Sequence, residues 1–99
     1  MTLQIHKQAL AEQDLLDIWL YSYQQWGEAQ ADHYLDELNT AMQGLIDYPL
    51  AYRERLEFSP PVRICHHARH LIVYVVAERY LHIVRVLHES MDIEVLLSD

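Results

Sequence analysis

The chain is short of several residue types, and each shortage excludes something. Of its 99 residues only Cys65 is a cysteine, so neither an intrachain disulfide framework nor an all-cysteine zinc site can form within it. Two glycines and three prolines, beside 52% hydrophobic residues, exclude collagen-like, low-complexity and disordered classes. Gly27 and Gly44 stand too far apart to build a phosphate-cradling loop. There is no 18-residue apolar run to span a membrane, and the opening Met1-Thr2-Leu3-Gln4-Ile5-His6 does not read as a secretory leader. A lone thiol in such a chain predicts a reducing, cytoplasmic home.

Positive charge is scarce too. Seven Lys and Arg stand against fifteen Asp and Glu, for a net charge of −8. Its distribution is uneven. Residues 1–52 hold one Lys and eight acids, whereas residues 53–88 hold six Arg, three acids and five of the seven His. A globally acidic chain predicts little direct nucleic-acid binding, because phosphate neutralisation supplies most of that affinity. The Arg/His block is open to two readings, a local site for an anionic partner or a half-solvated sheet face.

What is present is a change of hydrophobic period. Leu3 and Ile5 alternate in a short strand over 2–6. From about Gln8 to Trp26 the spacing becomes helical, with Ala11, Leu15, Ile18 and Ser22 on one stripe, Leu16 and Trp19 widening it, and Glu12, Asp14, Asp17 and Gln24 kept in water. Gly27 interrupts as a residue just past a helix end. A second helix follows, in which Ala31, Tyr34, Leu35, Leu38, Ala41, Met42, Leu45 and Ile46 hold the period for four turns until Pro49 stops it. So short a break makes the pair an antiparallel helical hairpin. Pro60-Pro61 closes a loop that begins near Tyr52. Then Arg63–His66, His70–Val76 and Tyr80–Leu87 read as strands, the last two joined by a turn at Ala77-Glu78-Arg79. The predicted fold is a single α+β domain over 1–99: an N-terminal strand, then a helical hairpin packed on a mainly antiparallel sheet with three C-terminal strands.

Several residues carry candidate chemistry. Cys65, His66, His67 and His70 suggest a metal cluster, but residues 65 and 67 share a strand face while 66 points away, so the reading calls for no metal and no cofactor. No serine sits in a strand–turn–helix elbow, which removes nucleophilic hydrolysis. RNA cleavage needs a base, an acid and a cation, and His82, His88, Glu89, Arg63 and Arg85 supply those types on adjacent strands. On Tyr80–Leu87 strict alternation puts Arg85 on one face with Leu81, Ile83 and Leu87, where a guanidinium needs a partner.

The same residues carry a family resemblance. Leu15-(x2)-Ile18, Trp26-Gly27 with Gln30-Ala31, Tyr34, Leu38, Leu45 and Pro49 resemble the helical half of the ParE branch of the RelE/ParE toxin superfamily. Arg53-Glu54-Arg55, Val62-Arg63, Arg69-His70-Leu71-Ile72-Val73-Tyr74 and Ile83-Val84-Arg85-Val86-Leu87-His88-(x2)-Met91-Asp92 resemble its second half, so the likeness spans residues 3–95. It implies a toxin of a type II toxin–antitoxin system that poisons DNA gyrase by stabilising its cleaved-DNA complex, with no turnover of its own. It also implies a cognate, ParD-like antitoxin that wraps the helical hairpin and sheet. On this footing Arg63, Arg69, His88 and Met91 bear on the target, Tyr74 and Arg85 are internal struts with Asp92 as partner of Arg85, and Leu15, Ile18, Leu35, Leu38 and Met42 meet the antitoxin. The alternatives are a RelE-like, ribosome-dependent mRNA endonuclease working through His82, His88 and Glu89, and a non-toxic antitoxin-binding module that keeps the fold.

Overall fold

The computed structural model describes residues 2–98. In chain order they form β1 (Gln4–Lys7), α1 (Ala9–Trp26), α2 (Glu28–Asp47), β2 (Glu54–Arg55), β3 (Val62–His67), β4 (His70–Ala77), β5 (Tyr80–His88) and α3 (Ile93–Leu97). The five-stranded sheet has the order β1-β5-β4-β3-β2; β1 runs parallel to β5 and every other pairing is antiparallel. This is the α+β arrangement expected from the change of period. Two elements lie outside that expectation: β2, in the loop after the hairpin, and α3 at the end of the chain.

The hairpin turns on one residue. Gly27 is at φ 91° and ψ 175°, a combination essentially restricted to glycine, and not the left-handed helical conformation expected of a residue after a helix. Its N–H donates to the Tyr23 carbonyl at 2.9 Å and its carbonyl accepts from Ala31 N–H at 3.1 Å, so it closes α1 and opens α2 at once. Across the joint, Trp19 Nε1 donates to Asp32 Oδ1 at 2.8 Å.

α2 buries the stripe its sequence lays out. Ala31, Leu38 and Met42 are sealed from solvent and Leu45 nearly so, and Leu38, Met42 and Leu45 pack with Cys65, Ile72, Tyr74, Leu81 and Ile83. Full burial of a Leu or Met side chain is worth about 1.5–3 kcal/mol, so this stripe anchors the hairpin to the sheet. α1 buries less. Leu15 and Ile18 pack against the core at its margin, while Leu16, expected to widen the buried stripe, is 52% exposed.

The far face of the sheet has its own apolar cluster of Phe58, Val62, Val73 and Leu87, with Ile64, Val75, Val84, Ile93 and Leu97 against it. The central strand β4 is therefore apolar on both sides, as its sequence predicts. Cover on this face is thin: α3 and the loop holding the cis Ser59–Pro60 bond.

A bulge in β5 corrects the expected alternation. Val73 pairs with Arg85 while Tyr74 pairs with Ile83, so Val84 is the additional residue. Leu81 and Ile83 pack beneath the helices, but Leu87 lies in the far-face cluster. Leu81, Ile83, Arg85 and Leu87 thus do not share a face. Downstream of the bulge β1 has ended, its last pairing being Lys7 with Ile83 and the next backbone bond running from Gln8 N–H to the Ile83 carbonyl at 3.0 Å.

Asp14 takes over that open edge. Its carboxylate accepts from Arg85 Nε at 2.8 Å, from an Arg85 terminal nitrogen at 2.9 Å and from the Val86 backbone N–H at 2.9 Å. Asp14 is therefore turned inward and largely shielded, and it, not Asp92, is the partner of Arg85. Removing one member of a shielded, bidentate ion pair leaves the other uncompensated, typically at about 3–5 kcal/mol. Asp14→Ala is expected to lower unfolding stability by about that amount, measured by urea denaturation. Asp14→Asn, which keeps one acceptor for Val86, should lose less.

Candidate functional site

The sheet end formed by the β3–β4 turn and the close of β5 gathers most of the polar residues singled out by the sequence. Ala68, at φ 52°, bends the chain so that Arg69 stands exposed at the turn. The Arg69 carbonyl accepts from Glu89 N–H at 2.8 Å, which ties that turn to the residue after β5. His66 Nε2 lies 2.9 Å from Glu89 Oε1 and strengthens the tie. Met91 N–H donates to the His88 carbonyl at 3.0 Å, and the Met91 side chain is left half exposed. The backbones of Arg69, His88 and Met91 are thus brought together at one end of the sheet as a platform. Among the described residues the Arg69 side chain has no hydrogen-bond or ion-pair partner.

Beneath the platform runs a chain of rings. The Tyr34 hydroxyl on α2 hydrogen-bonds His70 Nδ1, and the His70 and His88 rings meet edge to face at 5.3 Å. His88 Nδ1 accepts from Ser90 N–H at 3.1 Å and lies 2.7 Å from Ser90 Oγ. Burial, reinforced by neighbouring His88, lowers the His70 pKa to about 4. His70 is therefore neutral near pH 7, which suits an Nδ1 that accepts the Tyr34 hydroxyl proton. Burial likewise pushes the Tyr34 hydroxyl upward.

The other expected residues lie elsewhere. Arg63 sits toward the opposite end of β3, paired with Glu54 of β2 and donating to the Tyr52 carbonyl, so it does not join Arg69. Tyr74 is sealed in the core with its hydroxyl donating to the Pro49 carbonyl at 3.0 Å; burial raises its pKa to about 12. Asp92 caps α3, its Oδ1 accepting from Glu94 and Val95 N–H groups at 3.1 and 3.3 Å. The proposed RNA-cleaving set is divided by the bulge. His88 lies on the hairpin side of the sheet beside His70, whereas His82 lies opposite His6 on the other face.

Two further expectations change. The six arginines do not form one patch: Arg55 pairs with Glu57 and lies over the Phe58 ring, Arg63 and Arg85 are engaged as described, Arg69 has no side-chain partner among the described residues, and Arg53 and Arg79 stand exposed in the loop after the hairpin and at the β4–β5 turn. Leu38 and Met42, expected to meet a partner, are wholly enclosed, and Leu15, Ile18 and Leu35 are half-buried. The outward apolar row of the hairpin is instead Leu16, Leu20 and Tyr23 on α1, all exposed and spaced for one helix face, with Trp19 stacked on Tyr23 at 5.2 Å. The signal for it was present, since these residues lie beside the buried stripe, but periodicity does not say which side of a broad stripe meets the sheet. His66, His67 and His70 diverge to Glu89, Glu37 and Tyr34, and among the described residues no three His, Cys, Asp or Glu side chains converge on a metal position. Nor is any described helix long and apolar enough to cross a membrane.

A helical hairpin laid over one face of this sheet, with its first strand parallel to its last, is the RelE/ParE-like toxin fold. The match extends to sequence. The family "ParE toxin of type II toxin-antitoxin system, parDE" covers residues 5–93. Toxin ParE1 of Caulobacter vibrioides is 37% identical over 82 residues, which is 83% of this chain and 84% of that protein. Toxin ParE1 of Mycobacterium tuberculosis is 35% identical over 85 residues, covering 85% and 87% respectively. A chain from the chromosomal ParDE toxin–antitoxin system of P. aeruginosa superposes with a TM-score of 0.75 at 16% identity, over 88% of this chain and 96% of that one. The chain belongs to the ParE toxin family of type II toxin–antitoxin systems.

The depressed His70 pKa fixes a pH dependence. In the unfolded chain His70 titrates near 6.5, so between about 6.5 and 4 the unfolded state binds more protons and stability falls as pH falls. The urea midpoint of the wild type should decline across that window, and His70→Gln should flatten that part of the profile. An equally steep decline in the variant would remove His70 as its source.

Proposed function

We propose that this ParE-family toxin poisons DNA gyrase by stabilising its cleaved-DNA complex, without turnover of its own, and that a cognate ParD-like antitoxin neutralises it. The observation that favours gyrase over RNA is the β5 bulge. Acid–base cleavage of RNA requires a base and an acid within reach of one phosphate, and His82 and His88 lie on opposite faces of the sheet. Cations for the developing phosphorane charge are scattered as well. What the platform does offer is a recognition surface: exposed Arg69, with no side-chain partner among the described residues, and half-exposed Met91, on a base set by His88 and Glu89. Arg63 serves the loop after the hairpin and stands apart from that surface.

For the antitoxin, the accessible part of the hairpin is the Leu16, Leu20 and Tyr23 row. It suits an amphipathic segment laid along α1, in the manner of helix-in-groove recognition. Leu38 and Met42 lie in the core between the hairpin and the sheet. Leu16→Ala combined with Leu20→Ala is expected to weaken antitoxin binding tenfold or more, measured by calorimetry, with the far-ultraviolet spectrum unchanged. Unaltered affinity would move the contact off this face.

The target is tested with supercoiled plasmid, purified gyrase and the purified toxin, the reaction quenched with detergent and protease before linear DNA is scored. Linear product should accumulate with the wild type and fall at least tenfold with Arg69→Ala, whose exposed side chain makes no hydrogen bond or ion pair among the described residues. Absence of linear product with gyrase otherwise active would sink the gyrase reading. Cleavage of ribosome-bound mRNA in a parallel reaction would establish the alternative. Point variants serve this purpose better than truncation at Met91, because Ile93 and Leu97 help cover Phe58, Val62, Val73 and Leu87.

A further inference from the structure

We propose that His6 and His82 form a surface site for a divalent transition ion of the Cu²⁺, Ni²⁺ or Zn²⁺ class, held through their two Nδ1 atoms on the face of the sheet away from the helical hairpin. The backbone brings them together: β1 and β5 are parallel and in a register that sets His6 directly opposite His82. Ile5, Leu81 and Ile83 pack beneath the hairpin, so alternation turns both imidazoles to the other side. There the two Nδ1 atoms stand 3.1 Å apart. With metal–nitrogen bonds of about 2.0–2.1 Å, that separation corresponds to an angle at the metal of roughly 95–100°, between the octahedral and tetrahedral ideals.

The alternative is a direct hydrogen bond, which needs one ring to carry its proton on Nδ1. When both rings carry it on Nε2, two lone pairs converge on one point, and a cation there turns repulsion into coordination. Neither ring has an ion-pair partner among the described residues, and the Tyr80 ring, 5.6 Å from His82 and 6.4 Å from His6, walls one side. No third His, Cys, Asp or Glu joins the pair among those residues, so water fills the remaining positions. Imidazole donors favour borderline ions over Mg²⁺ or Ca²⁺, and affinity should rise from Ni²⁺ to Cu²⁺. Residues 76 positions apart meet only in the native state, so a bound ion clamps edge strand β1 to β5 and stabilises the fold by linkage.

The test is thermal unfolding of the full chain in chelator-free buffer with NiCl₂ or ZnCl₂, together with Cu²⁺ electron paramagnetic resonance at one equivalent. At an ion concentration about 100 times Kd, the folding equilibrium should move about 100-fold toward the native state and Tm should rise. The Cu²⁺ spectrum should show nitrogen ligation. His6→Gln and His82→Gln should each abolish the Tm rise and the nitrogen-ligated signal. His33→Gln, which removes an exposed histidine paired with Glu37 on α2, should retain both. Because the resonance signal is read on folded protein, confirmed by circular dichroism, loss of fold is not mistaken for loss of the site. A Tm rise or nitrogen-ligated signal that persists in either His6→Gln or His82→Gln, or the absence of both in the wild type at millimolar ion, would overturn the proposal.

Discussion

The Asp14 carboxylate holds the arrangement of the whole domain. Strand β1 covers only the first half of β5, and a sheet edge left bare beyond it would carry an unpaired Val86 N–H. Asp14, less than two turns into α1, reaches that edge and satisfies both the backbone N–H and the Arg85 guanidinium. The same three bonds fix where α1 crosses the sheet. With α1 fixed, Gly27 returns α2 over the centre of the sheet, where Leu38 and Met42 close the core.

The bulge beside Arg85 decides what each face presents. Without the additional residue, His82 and His88 would share a side. With it, His88 turns under the hairpin to meet His70, which bonds Tyr34, while His82 stays with His6 and Tyr80. A one-residue offset thus separates an interior ring network, which stiffens the platform, from a surface histidine pair. Dispersed arginines reinforce the division, since each of Arg55, Arg63 and Arg85 is engaged locally and only Arg69 projects from the platform.

Much of this was legible in the residues, and the losses have identifiable causes. The α2 stripe is four turns long and one-sided, so Ala31, Leu38, Met42 and Leu45 lie buried where the period puts them. On α1 the stripe is broad, and periodicity alone cannot say that Leu15 and Ile18 turn inward while Leu16 and Leu20 stay in water. Asp14 reads as a surface acid because its partner lies 71 positions away. Alternation in β5 presumes a strict period of two, which an inserted residue breaks without altering composition. α3 spans five residues, too few for a helical pattern, although Asp92 and Glu94 are a cap and a first-turn acid in retrospect. The resemblance places the chain in the right family, yet the Arg85–Asp92 pairing it suggests gives way to Arg85–Asp14.

The charge distribution constrains how partners meet this molecule. A net charge of −8 with eight acids in the first 52 residues surrounds the exposed row of α1 with negative potential, since Glu12 and Asp17 flank it and are themselves exposed. An acidic partner approaching that row gains nothing from long-range steering, which works through complementary fields. Its affinity must come from burying Leu16, Leu20 and Tyr23, at about 25 cal/mol per Å² of apolar surface, once contact is made. The platform differs in kind: it carries the exposed cation of Arg69 and the half-exposed thioether of Met91, a combination suited to one anionic group and an apolar surface. Hence salt should weaken whatever binds the platform more than whatever binds the hairpin, because Debye screening acts on the exposed charge and leaves apolar burial largely intact.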